Sequence, residues 1–204
     1  QPQPPERSAN RLPVRDHAIA ANEMRVPPPN SLKNARIPVL GFVATQSNSG
    51  KTTLLEQLIH LLGAEQLHVG VIKHVHHNFD MDREGKDSYR FRAAGSSQVM
   101  MASERRWALL TETEDVGQYP DLDELIVHMD QSKLDLLLVE GLRDYPFTKI
   151  EVTLADSDEG LICHHDPYVI AVAGKVPLPT LPVGWLPIDR PDKVAAFIRT
   201  WMKA

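Results

Sequence analysis

The stretch "IPVLGFVATQSNSGKTTLLEQLIHLL", residues 37–62, restricts the possible folds of this chain more than any other. Its first part, "IPVLGFVA", is a near-continuous apolar run and reads as a buried strand. Its last part places Leu54, Leu55, Leu58, Ile59 and Leu62 at helical spacing, with Gly63 as the expected stop. Between them stands Gly50-Lys51-Thr52-Thr53, the end of a G-x-x-x-x-G-K-[ST] phosphate loop. Such a loop needs backbone N–H groups turned inward, a lysine for the terminal phosphates and a hydroxyl for Mg2+. The first glycine of the pattern is replaced by Thr45, a β-branched residue that resists positive φ. Position 45 lies at the strand end of the loop, where extended backbone suffices. Asn48 is the next-best residue after glycine for a left-handed conformation. The competing reading, a chance G-K-T at a helix start, does not account for the flanking strand and amphipathic helix.

The remainder alternates in the same way. "HVGVIKH", "SQVMMAS", "RWALLTE", "LDLLLVE", "KIEVTL" and "YVIAVA" read as strands. Asp121 opens a helix with Leu122, Leu125, Ile126 and Met129 on one face, and Pro191 opens another with Val194, Phe197, Ile198 and Trp201. Strands alternating with helices point to an α/β domain with a mainly parallel sheet flanked by helices, of the P-loop NTPase-like type. Residues 1–36 differ: they hold 7 of the 16 prolines, no aromatic residue and a local charge of +3, which leaves −8 on the rest. They are expected to form a flexible tail or linker, with the nucleotide-binding domain over residues 37–204. The chain opens on Gln1 rather than Met, as a module cut from a longer polypeptide would.

Charge and cysteine content exclude several classes. A net charge of −5 argues against gripping nucleic acid or an acidic membrane through bulk charge. The single cysteine, Cys163, allows no internal disulfide and too few thiols for structural zinc. No apolar run reaches membrane-spanning length. A reducing cytoplasm is the expected setting.

Ligands of open α/β sheets bind at the carboxyl ends of the strands. In "LDLLLVEGLRD" that rule selects Glu140, at the strand's end, over Asp135 at its start as the second Mg2+ group. An ordinary solvated turn acid is the alternative. The same rule gathers Lys73, His74, His76, His77, Asp80, Asp82, Lys86, Asp87 and Ser88 after the second strand. These residues suit an anionic second ligand. A transition-metal site is a weaker reading, because the spacing is not diagnostic, and a plain polar loop is the third.

Taken together, "SGKTTLLEQLI", "VGVIKHVHH", "GKDSYRFRAAG", "RWALLTET", "SKLDLLLVEGLRDYPFTKIEV" and "VIAVAGKVP" resemble the molybdopterin-guanine dinucleotide biosynthesis protein B (MobB) family, over about residues 37–204. The resemblance implies a GTP-binding accessory or adaptor protein, usually a homodimer, with at most feeble GTPase activity. It implies as partner the guanylyltransferase that joins GMP to molybdopterin, with molybdopterin itself as a second ligand. By motif, Ser47, Asn48, Ser49, Gly50, Lys51, Thr52 and Thr53 would cradle the phosphates. Thr52 and Glu140 would hold Mg2+, and Ala173, Gly174 and Lys175 would meet the guanine. Lys73, His74, His76, His77, Lys86, Asp87 and Ser88 would face the second ligand or the partner. The residues alone do not separate guanine from adenine, since no N-K-x-D motif is present. A P-loop phosphotransferase, of kinase or ligase type, acting on a small anion remains the alternative function. A degenerate nucleotide fold kept only for dimerisation is a third reading, opposed by the retained Lys51, Thr52 and Glu140.

Overall fold

The computed structural model describes residues 25–75, 85–113, 121–178 and 180–204. Its centre is a six-stranded sheet in the order β2-β5-β1-β6-β7-β8, with every neighbouring pair parallel. The strands are β1 (Val39–Val43), β2 (Val69–Lys73), β5 (Leu136–Glu140), β6 (Lys149–Val152), β7 (Val169–Gly174) and β8 (Gly184–Pro187). Strands β1, β5, β6 and β7 are buried nearly throughout because both faces are covered, and all but β6, which carries Lys149 and Glu151, are almost wholly apolar. Helices α1 (Lys51–Ala64) and α4 (Pro191–Trp201) pack on one face. Leu54, Leu55, Leu58 and Leu62 meet Val194, Phe197 and Ile198 there, over Leu40, Leu138, Ile150 and Ala173. Helix α3 (Leu122–Val127) covers β1 and β5 on the other face, capped by the Asp121 side chain accepting from Asp123 N.

The sequence expectation of a mainly parallel sheet with flanking helices is met, with four differences. Gly63 does not stop α1; the helix runs to Ala64, and the reversal is made at Gln66 with φ 67°. Strands β3 (Gln98–Ala102) and β4 (Trp107–Thr111) form a separate antiparallel hairpin. "GKDSYRFRAAG" is not loop throughout, because Asp87–Ala93 form helix α2. The short edge strand β8 was not foreseen, since "GWLP" offers neither alternation nor length.

Residues 25–36, read from composition as tail, lie against the domain. One guanidinium nitrogen of Arg25 donates to the carbonyls of Cys163, Asp166 and Val169 at 3.1–3.2 Å. Ser31 N donates to Pro146 O, Leu32 is buried, and Asn34 makes three hydrogen bonds to Asp123. Proline and polar residues lack the apolar area to hold such a strap, but its main-chain donors find fixed partners on the folded domain.

Gly41 shows how tightly the centre is packed. A Cβ there would lie 2.6 Å from the Phe147 ring and 2.7 Å from the Lys149 stem. Only a glycine lets the connection from β5 to β6 lie flat across β1.

Candidate functional site

Strand β1 ends at Val43, the chain turns, and Gly50 caps α1 with φ 86° and ψ 3°. Asn48 takes φ 58°, the left-handed conformation its side chain tolerates. Thr45 is not among the positive-φ residues, so the missing first glycine imposes no strain here. A Cβ on Gly50 would be strained by φ and would also lie 3.3 Å from Ile188 Cδ1. Ser47, Asn48, Thr52 and Thr53 are exposed, whereas Ser49 is buried and accepts a 3.1 Å hydrogen bond from Lys51 Nζ.

The parallel register sets Glu140 beside this loop. In the ladders Phe42 and Lys73 are both partners of Glu140, on its two neighbouring strands. Thr52 Oγ1 donates to Glu140 Oε1 at 3.0 Å, and Lys73 Nζ lies 3.5 Å from Oε2. Glu140 retains 14% of its side-chain exposure and Lys73 54%, so the pair faces an open cleft rather than the core. The Lys51 ammonium is held below its usual range, mainly by burial and further by Lys73, with Glu140 opposing both. An anion in the loop would relieve that cost. A hydroxyl and a carboxylate within one hydrogen bond of each other form a hard-oxygen pair of the kind Mg2+ uses beside phosphates, so these residues fit the ion.

Other expected site residues distribute differently. His74 stands next to Lys73; its N–H donates to Glu140 O, and its Cβ lies 3.2 Å from where a Cβ on Gly141 would sit. His76, His77, Asp80 and Asp82 lie outside the described residues. Lys86 is the extended N-cap of α2, and Asp87, which pairs with Arg90 at 3.5 Å, and Ser88 belong to the helix itself. No group of three metal-binding side chains occurs among the described residues. At the end of β7, Ala173 and Gly174 are buried, and their carbonyls already accept from Thr153 N and Ile188 N. Of that trio only Lys175 presents a side chain outward.

Sequence reasoning missed a second charged cluster. Lys149 and Glu151 of β6 are 1% and 0% exposed. Lys149 Nζ donates to Arg143 O at 2.6 Å and Tyr145 O at 2.8 Å, and meets Asp166 Oδ2 at 2.6 Å. The two Glu151 oxygens accept the main-chain N–H groups of Ile162 and Cys163, each at 2.9 Å. Burial still raises the Glu151 carboxyl above its usual range, and burial beside Glu151 pushes the Cys163 thiol up to about 12. That thiol is not a nucleophile. Two charges alternating in an otherwise apolar strand, "KIEV", were the available signal.

Comparison with known proteins places the chain in a family and matches its fold. The family model for "Molybdopterin guanine dinucleotide synthesis protein B" matches residues 39–175. The molybdopterin-guanine dinucleotide biosynthesis adapter protein of Escherichia coli is 47% identical over 171 residues, covering 82% of this chain and 94% of that protein. Its namesake from Haemophilus influenzae is 44% identical, covering 83% and 92%. Among solved structures, a MobB homolog from Bacillus stearothermophilus superposes with a TM-score of 0.62 at 20% identity, covering 81% of this chain and 97% of that one. Bacillus subtilis MobB gives 0.62 at 24%, covering 80% and 98%.

Proposed function

Because this chain belongs to the molybdopterin guanine dinucleotide synthesis protein B family, we propose that it is an accessory protein of molybdopterin-guanine dinucleotide synthesis that binds GTP and Mg2+. The observation that carries the nucleotide part is the 3.0 Å bond between Thr52 and Glu140 at the mouth of a loop with left-handed Asn48 and Gly50. In this reading the inward N–H groups from Ser47 to Thr53 hold the phosphates and Lys51 swings from Ser49 to the terminal oxygens. Thr52 and Glu140 hold Mg2+, which neutralises phosphate charge when bound. The adapter role rests on the names of the relatives. The partner is the enzyme that attaches GMP to molybdopterin, and Lys73 with the Lys86–Ser88 segment faces that enzyme or its pterin phosphate. A second copy of the chain is the proposed occupant of the β3–β4 hairpin, where Met100 is 60% and Trp107 63% exposed. The cytoplasm is the proposed setting; no described helix is long and apolar enough to cross a membrane.

Calorimetric titration with GTP and ATP, with and without Mg2+, tests the reading. Mg2+-dependent GTP binding is expected, and Lys51→Ala should lose it. Near wild-type affinity in Lys51→Ala would remove the phosphate-loop assignment. The alternative phosphotransferase has one observation in its favour, the Lys73 ammonium placed against Glu140 in the open cleft. Turnover separates the two: an adapter hydrolyses GTP far below the roughly 1–100 s⁻¹ of kinases.

A further inference from the structure

We propose that Lys73 competes with Mg2+ for the Glu140 carboxylate and so sets how strongly nucleotide binding depends on the metal; this rests on the nucleotide reading above. Strand register brings the groups together. On β5, Leu136, Leu138 and Glu140 alternate onto one face, where the two leucines pack with those of α1. Lys73 is the ladder partner of Glu140 on β2, so its side chain leaves the sheet on that same face. β2 is the edge strand, and Val71, two residues before Lys73, is exposed. Glu140 is therefore approached from two sides. Thr52, in the first turn of α1, donates to Oε1 at 3.0 Å, and the Lys73 ammonium comes from the open edge to 3.5 Å from Oε2.

These two neighbours differ in what they allow. A hydroxyl rotates and can turn a lone pair to a metal, so Thr52 and Mg2+ can share the carboxylate. An ammonium has donors and no lone pair, so at Oε2 it excludes a second cation. The cleft holds two ammonium groups against one carboxylate. Beyond the lowering by burial, Glu140 raises and Lys73 lowers the Lys51 ammonium, so the three groups act on one another. A cleft of that charge repels a bare dication and attracts a polyphosphate.

Two arrangements follow. Phosphates entering without metal leave Lys73 in place, and its charge adds to that of Lys51. Phosphates entering with Mg2+ bring the dication to Glu140, and the ammonium gives way. The 3.5 Å separation and the half-exposed lysine make that departure a small loss. The sealed Lys149–Asp166 pair, at 2.6 Å, has no such freedom.

The test is calorimetric titration of the full chain with GTP in Mg2+ and in EDTA, read as the ratio of the two affinities. Lys73→Gln should weaken GTP binding in EDTA and keep or tighten it in Mg2+, raising the ratio roughly fivefold or more. Lys73→Arg keeps a cation at the carboxylate and should stay near the wild-type ratio. In a Glu140→Gln background, Lys73→Gln should leave the ratio unchanged, because the group through which it acts is gone. An unaltered ratio in Lys73→Gln reduces the contact to a surface ion pair and overturns the competition. Equal losses in Mg2+ and in EDTA overturn it too, since they make Lys73 a direct phosphate ligand. So does a raised ratio that persists in the Glu140→Gln background. In each of these cases wild type still binds GTP, and the phosphate loop stands. A wild type that binds no GTP in either condition overturns the nucleotide reading and the competition with it.

Discussion

Two charged clusters hang on the same sheet and are built differently. At the ends of β1, β2 and β5, Lys51, Thr52, Lys73 and Glu140 stand at an open cleft. Lys51 spends one donor on Ser49, and Lys73 is a loose 3.5 Å from Glu140. On β6, Lys149 directs its ammonium to three acceptors, matching its three donors, and Glu151 fills both oxygens from main-chain N–H groups. The sealed cluster has no capacity left for a ligand. It ties the β5–β6 connection, the turn before β7 and, through Arg25 on the Asp166 carbonyl, the N-terminal strap into one body. The open cluster is under-paired and costs Lys51 part of its charge preference. A charge satisfied by its own chain is architecture, and a charge left short at a strand's carboxyl end is available for binding.

The sharpest way to break that contrast is to delete one lysine from each cluster. Lys149→Ala strands the Asp166 carboxylate and two carbonyls and should lose about 3–5 kcal/mol of stability in urea unfolding. Lys51→Ala should stay within about 0.5 kcal/mol of wild type, its loss appearing only in nucleotide binding. Equal destabilisation by the two substitutions would mean that the open cluster is structural too.

A smaller effect comes from pH. The folded Glu151 carboxyl titrates above its ordinary 4.5, so the native state holds that proton more tightly than the unfolded chain. Its stabilising contribution is fully present below 4.5 and is lost as pH rises through the raised folded value. Unfolding in urea across that window should show stability falling with pH, and Glu151→Gln should flatten the slope. Asp121, Asp130 and Asp135 shift downward instead, so their opposite slopes lie below their ordinary 3.8 and leave the window clear. An identical slope in Glu151→Gln would assign the dependence elsewhere.

The smallest effect belongs to Thr45. Its backbone is outside the positive-φ region, so restoring the glycine of the general pattern relieves nothing. Thr45→Gly should bind nucleotide no more tightly and lose about 0.4–1 kcal/mol through a freer unfolded chain. Markedly tighter binding would show strain in the loop, and a large loss of affinity would show a contact made by the threonine.

Local chemistry was enough to read the strand–loop–helix around Gly50, the alternation of strands and helices, and Glu140 as the strand-end acid. Each depends on neighbours in sequence: periodicity marks a face, a glycine marks positive φ, and the carboxyl-end rule follows from strand direction. The order of strands, the pairing of Lys73 with Glu140 and the partnership of Lys149 with Asp166 join residues far apart in sequence. No local pattern specifies such partners, and "KIEV" would even have suggested pairing Lys149 with Glu151. Composition is also silent on the hydrogen bonds made by residues 25–36, because it counts the apolar area a segment owns and not the partners a folded neighbour provides. The sequence by itself determined a strand–loop–helix carrying Gly50-Lys51-Thr52 within a mainly parallel sheet. Which charges are sealed and which remain to meet a ligand was decided only when the strands were laid side by side, since desolvation and pairing are properties of the packed neighbourhood rather than of the residue.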